Sequence, residues 1–265
     1  MMKKLNVATF RKMKEAGEKI VMVTVSDAPT AALAAEAGVE MLLVGDSLAM
    51  TVLGYANTLP LTVEESLHHC RAVRRGAPDA FVVGDMTFMS YQVSVEEGLR
   101  NAGRYMKEAG CNAVKLEGGA VVEPLVRRLT DCGIPVVAHI GLQPQRVEAM
   151  GGYRVQGRTE DAAKELVEDA HKLEDAGAFA LVLECIPAEL GAKISRELVI
   201  PTVGIGAGAG CDGQVQVLYD VLGMFDRLPK HARRYAEVGA TIRDALSRYV
   251  ADVKKGDFPA QENSF

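Results

Sequence analysis

The chain has 265 residues, 48% of them hydrophobic and 25% charged, the mix of an ordinary globular protein long enough to bury a full core. Its net charge of −5 argues against nucleic acid or an anionic membrane as the main partner, and the absence of Trp argues against a base-stacking platform. Cys70, Cys111, Cys132, Cys185 and Cys211 are widely spread, odd in number and form no C-x-x-C pair, which fits reduced thiols rather than a zinc or redox motif.

In chain order, the N-terminal stretch through Ile20 is basic and lacks an apolar core, so no secretory signal is expected. Asn6–Glu18 reads as a first helix. Apolar runs of strand length follow at Ile20–Val25, Glu40–Gly45, Ala80–Gly84, Asn112–Leu116, Pro135–His139, Ala178–Leu183 and Pro201–Ile205, with Val215–Val221 as a weaker eighth. They are rich in Val, Ile and Leu without polar alternation, as strands covered on both faces are. Helical patterns lie between them at Val63–Arg74, Ser94–Glu108, Val121–Cys132, Thr159–Asp175 and Ala188–Glu197. Gly38, Gly110, Gly133 and Gly177 each stand where a helix should end and a strand begin. Arg233–Val253 reads as terminal helix and Lys254–Phe265 as an irregular tail. No apolar stretch is long enough to cross a bilayer, and a cytoplasmic protein is expected.

Repeated helix-glycine-strand units mean a parallel sheet, and about eight of them point to a single-domain (β/α)8 barrel over residues 1–265, capped by the first helix. An open doubly wound sheet is the alternative. The barrel is preferred because reactive side chains end many strands instead of gathering at one crevice. Asp46, Asp85 and Glu117 close three consecutive strands. Three carboxylates at one rim repel one another unless a cation sits among them, and oxygen ligands favour Mg2+. Any one of them alone could merely cap a helix. Lys115 and Glu117 lie two apart, on one face of their strand. Lys115 could form a buried ion pair, a fixed positive charge for a carboxylate or enolate oxygen, or a Schiff base. His139 could line the pocket or simply bond a backbone carbonyl. Glu184 emerges from an apolar wall, as a general base would, or it caps the helix that opens near Pro187. Gly204–Gly208 is either a phosphate cradle or a tight turn, with Asp212-Gly213-Gln214 opening a helix behind it. Together these parts suggest metal-assisted enolisation of a 2-oxo acid.

At these residues the chain resembles the ketopantoate hydroxymethyltransferase family. The resemblance runs from about Thr24 to Phe265, through GDSLAMTVLGYANTLPLT at Gly45–Thr62, RRGAPDAFVVGDMTFMSY at Arg74–Tyr91 and NAVKLEGG at Asn112–Gly119. It continues through AHIGLQPQ at Ala138–Gln145, GGYRVQGR at Gly151–Arg158, LVLECIP at Leu181–Pro187 and GIGAGAGCDGQ at Gly204–Gln214. It implies a barrel of the phosphoenolpyruvate-binding type. It implies hydroxymethyl transfer from 5,10-methylenetetrahydrofolate to 3-methyl-2-oxobutanoate through a Mg2+-stabilised enolate, giving 2-dehydropantoate at the entry to pantothenate and coenzyme A synthesis. The implied metal residues are Asp46, Asp85 and Glu117. The 2-oxo acid would be held by Asp46, Ser47, Asp85 and Lys115, with His139 lining the pocket and Glu184 as proton acceptor. A large homo-oligomer, often a decamer in such proteins, is expected.

Four positions depart from the family pattern: Ser26 where a Tyr is usual, Ala49 for Gly, Tyr219 for the His of an H-D pair, and Asn263 for the His of a terminal H-S-F. None is a proposed metal or proton-transfer residue. The rivals are a Mg2+-dependent carbon–carbon lyase of the isocitrate lyase type, whose K-K-C-G-H motif is missing here, and a non-catalytic phosphate-binding barrel.

Overall fold

The computed structural model describes residues 5–265; the first four residues of the basic N-terminal stretch lie outside the described residues. The described residues fall into two compact units, one ending at Gln216 and one spanning Val217–Phe265.

In the first unit, eight parallel strands close into a barrel: β1 (Ile20–Thr24), β2 (Met41–Val44), β3 (Phe81–Asp85), β4 (Ala113–Glu117), β5 (Val136–Gly141), β6 (Ala180–Glu184), β7 (Thr202–Ile205) and β8 (Gly213–Gln216). Pairing of β1 with β8, Ile20 opposite Gly213, completes the ring. The helices of this unit are α1 (Val7–Ala16), α2 (Ala28–Glu36), α3 (Leu48–Thr51), α4 (Val63–Gly76), α5 (Val95–Lys107), α6 (Glu123–Asp131), α7 (Glu160–Asp175) and α8 (Ala188–Glu197). Five of them begin where a short polar side chain can accept the orphan N–H of the first turn: Asn6, Asp27, Thr62, Ser94 and Thr159 do so for α1, α2, α4, α5 and α7. The four glycines expected at helix ends all turn with positive φ.

Period two explains the interior. Ile20 and Met22, Met41 and Leu43, Phe81 and Val83, Val137, Ala180 and Val182, and Val203 and Ile205 form one buried cluster. Phe10 of α1 plugs its lower end, edge-on to Phe81 with ring centroids 4.9 Å apart and 6.2 Å from Phe179. The capping helix expected from the sequence is therefore part of the core. Phe10→Ala should cost about 3–5 kcal/mol, the usual range for emptying a buried phenylalanine site. A urea midpoint unchanged from wild type would show that α1 is dispensable for the barrel.

Three sequence expectations need correction. The eighth strand is Gly213–Gln216, earlier than Val215–Val221, and Leu218–Val221 is instead a short helix, α9, in the second unit. Asp212-Gly213-Gln214 consequently opens a strand and not a helix. Strand β8 was obscured because Gly-Gln-Val-Gln offers one apolar side chain, Val215, to the interior. The last long helix, α10, runs Val238–Lys255, later than expected, with a short 3-10 turn at Gln261–Asn263 inside the expected tail.

Candidate active site

Follow the inner rows upward and apolar side chains give way to polar ones. On β3 the row is Phe81, Val83, Asp85; on β4 it is Ala113, Lys115, Glu117; on β5 it is Val137, His139, Gly141; on β6 it is Ala180, Val182, Glu184. Strand register then makes neighbours of the polar ends. Asp85 pairs with Lys115, Glu117 with His139, and Gly141 with Glu184. Asp46 reaches the same place from the turn after β2: its backbone N–H donates to Asp85 Oδ2 at 2.9 Å. Asp46, Asp85, Lys115, Glu117 and His139 are each at most 5% exposed. Glu184 is more open, with 16% of its side chain accessible. Ser47, the other expected residue, is half-buried at the start of α3 and makes no capping bond.

The helix-cap alternatives for the acids do not hold. Asp46 Oδ2 is occupied by the amide of Gln145, and α8 starts at Pro187 without a side-chain cap from Glu184. The glycine run has the plainer explanation. A Cβ at Gly208 would stand 2.5 Å from that of Ala188 in α8, and one at Gly204 2.9 Å from Cys211 Sγ, so close packing accounts for glycine at both ends of the run. Gly141 matters more directly. With φ +95°, a Cβ there would lie 2.2 Å from the Glu184 carbonyl oxygen, so only glycine lets β5 approach β6 at the level of the glutamate.

Lys115 is the cation of the cluster. Its Nζ is 2.8 Å from Asp85 Oδ1, 3.9 Å from Glu117 Oε1 and 3.3 Å from His139 Nδ1. Burial works against its charge, but Asp85, Glu117 and Asp46 together hold its pKa above the usual lysine value. Burial pushes the Asp85 carboxyl up to about 7, with Lys115 opposing and Asp46 adding to the shift. Burial raises Glu117 as well, against Lys115 and with Asp46 and Asp85. For His139, burial and then Lys115 lower the pKa, so the ring is neutral near pH 7. An ammonium can only donate, so Nδ1 accepts and the imidazole proton is assigned to Nε2. Nε2 faces Glu184 Oε2 at 3.2 Å, without hydrogen-bond alignment.

Two residues without a sequence-assigned role organise the acids. Gln145 donates through Nε2 to Asp46 Oδ2 at 3.0 Å and to Met86 O at 2.9 Å, and through its backbone N–H to Glu117 Oε2 at 3.1 Å. The Tyr91 hydroxyl donates to Gln145 Oε1 at 2.8 Å and accepts from Glu117 N at 3.1 Å. Tyr91 lies in a loop and Gln145 in a single 3-10 turn, Pro144–Arg146, where no periodicity singles them out; the one signal was their place inside the quoted motifs.

Among the described residues, no group of three or more His, Cys, Asp or Glu side chains stands ready-made to hold a metal ion. The donor chemistry nonetheless fits a hard cation. Glu117 Oε1 is a buried acceptor without a hydrogen bond, and the charge of Asp46 is close enough to raise both the Asp85 and the Glu117 carboxyl.

The model of the family described as Ketopantoate hydroxymethyltransferase matches residues 4–261. The chain belongs to the ketopantoate hydroxymethyltransferase family. A 3-methyl-2-oxobutanoate hydroxymethyltransferase of Syntrophus aciditrophicus (strain SB) is 55% identical over 264 residues, covering 99% of this chain and 97% of its own. Relatives of the ketopantoate hydroxymethyltransferase family at this similarity make the chain an enzyme of hydroxymethyl transfer to 3-methyl-2-oxobutanoate, the first step of pantothenate biosynthesis. The barrel recurs in a 2,3-dimethylmalate lyase of the PEP mutase/isocitrate lyase superfamily, with a TM-score of 0.60 and 18% identity over 97% of this chain and 87% of the lyase. It recurs in a phosphonopyruvate hydrolase in complex with oxalate and Mg++, with a TM-score of 0.62 and 12% identity over 98% of this chain and 93% of the hydrolase. Likeness at that identity establishes the fold, which agrees with the expected phosphoenolpyruvate-binding type of barrel.

Proposed function

We propose that the mouth of this barrel enolises 3-methyl-2-oxobutanoate with Glu184 as the base and passes the resulting carbanion to 5,10-methylenetetrahydrofolate. The observation that carries this reading is the ring of Asp46, Asp85, Lys115, Glu117, His139 and Glu184 at one end of β2–β6, above an apolar core. Asp46, Asp85 and Glu117 would hold a divalent cation, Mg2+ by donor type, which when bound supplies Lewis-acid polarisation of the keto group. The phosphonopyruvate hydrolase of the same fold, complexed with oxalate and Mg++, supports a cation beside a small oxo-acid-like anion.

The chain's own groups do the rest. Asp46, Ser47 and Asp85 line the seat of the 2-oxo acid. Lys115 balances negative charge on the substrate oxygens in a setting with little water to screen it. Glu184 is the most accessible acid of the ring, as a group that must meet a C–H bond has to be. His139, neutral and protonated on Nε2, stands beside the glutamate without competing for the substrate proton. No described helix is long and apolar enough to cross a membrane, and a biosynthetic role of this kind suits the cytoplasm. A homo-oligomer is supported by α10, whose Ile242, Leu246, Tyr249, Val250 and Val253 are all more than 40% exposed.

Incubation of the enzyme with 3-methyl-2-oxobutanoate in D2O, without folate, tests the reading. Deuterium is expected at C3 in the presence of Mg2+, and its incorporation should stop with EDTA and resume on adding Mg2+ back. Exchange that persists in EDTA, together with irreversible inactivation by borohydride plus substrate, would replace the cation with a Lys115 Schiff base.

A further inference from the structure

The acid ring suits the smaller substrate only. A 2-oxo acid is compact and anionic. The one-carbon donor of the proposed reaction is large, with a flat bicyclic ring, and it must rest on something other than buried carboxylates.

Side chains of another kind rim the mouth. Met50, in α3 after β2, and Tyr153, in the loop after β5, are 39% and 56% exposed. They meet across 103 residues of sequence, with the Tyr153 hydroxyl 3.8 Å from Met50 Sδ. Val52, Leu53 and Val155 on the same two loops are also more than a third exposed. Burial, then the charges of Asp46, Glu184 and Glu117, raise the Tyr153 phenol, so it lies within their field above the site. Gly151 and Gly152, at φ +67° and +104°, lead into the tyrosine, and Gln156 N donating to Cys185 O at 2.9 Å pins the loop beyond it next to Glu184.

The choice of aromatic is narrow. The other exposed tyrosine on these loops, Tyr55, offers less open surface, 37% against 56% for Tyr153. The loop after β5 also carries Arg146, Arg154 and Arg158 against one acid, Glu148, a sign that suits the carboxylates of a folate tail.

We propose that Tyr153 is the stacking face for the pteridine ring of the one-carbon donor, holding that ring over the carbanion formed among Asp46, Lys115 and Glu184. The inference rests on the folate-dependent reading above. Stacking on an aromatic ring needs the π-face and not the hydroxyl.

The test compares Tyr153→Ala and Tyr153→Phe in steady-state transfer with 5,10-methylenetetrahydrofolate. Tyr153→Ala should raise the KM for the donor at least about 10-fold while the KM for 3-methyl-2-oxobutanoate changes less than about threefold. Tyr153→Phe should restore most of the donor KM. Folate-free deuterium exchange, run in parallel, reports whether the 2-oxo acid half of the site is still assembled. An unchanged donor KM in Tyr153→Ala overturns the proposal. So does an equal defect in both variants, which would assign the effect to the hydroxyl, and so does loss of exchange with transfer, which would make Tyr153 part of the 2-oxo acid seat. Failure of the underlying reading looks different: wild-type enzyme would then show no folate-dependent transfer.

Discussion

Asp85→Ala should abolish hydrogen exchange at C3 of 3-methyl-2-oxobutanoate, a loss on the order of 10³-fold or more. Lewis-acid stabilisation is worth several kcal/mol, and each 1.36 kcal/mol is about a factor of ten in rate. Asp85 is also the hub of the ring. It accepts from Asp46 N, stands nearest to Lys115 Nζ and is 1% exposed. Alanine therefore removes a proposed cation ligand, the bond that fixes the Asp46 turn, and the closest counter-ion of a buried ammonium. The second of these unsettles the turn itself, so Asp85→Asn is the companion variant. Its amide oxygen can still accept from Asp46 N, and its shape is retained, but its charge is gone. Exchange should be lost in both. Near-normal exchange in a folded Asp85→Asn protein would remove Asp85 from the cation site.

Glu184→Gln separates proton transfer from binding. The substitution keeps the size of the side chain and its place 3.2 Å from His139 Nε2, and it removes the ability to take up a proton. Exchange should fall by roughly 10²–10⁴-fold, the range a positioned general base contributes. The dissociation constant for 3-methyl-2-oxobutanoate, measured calorimetrically with Mg2+ present, should change little. Wild-type exchange in this variant would pass the role to another group of the ring, with His139 next, since its Nε2 is the ring atom nearest Glu184.

Much of the fold was legible because a parallel barrel writes itself as unbroken apolar runs that end in glycine-marked turns. The candidate residues on β3–β6 were legible for the same reason. A charged side chain two positions beyond an inward apolar one must itself point inward, and Lys115 with Glu117 is the clearest instance. The sequence was mute where no period constrains it. Gln145 acts from a single 3-10 turn and Tyr91 from a loop, through hydrogen bonds to Asp46 and Glu117 that only a folded chain brings into reach. Strand β8 lacked the Val-Ile-Leu signature because Gly213 sits 2.3 Å, by an imagined Cβ, from the Ile20 carbonyl, and closing the ring at that seam demands glycine. The glycine run was ambiguous in sequence because turn packing and phosphate binding ask for the same small residue.

Foundation and chemistry stand in separate storeys of the same four columns. Phe81 and Val83 can keep the barrel closed whatever occupies the position above them, because the pleat hands each level to a different side chain without moving the backbone. A lineage can therefore rewrite the top storey, one residue per strand, and acquire a new reaction while keeping the apolar floor beneath it.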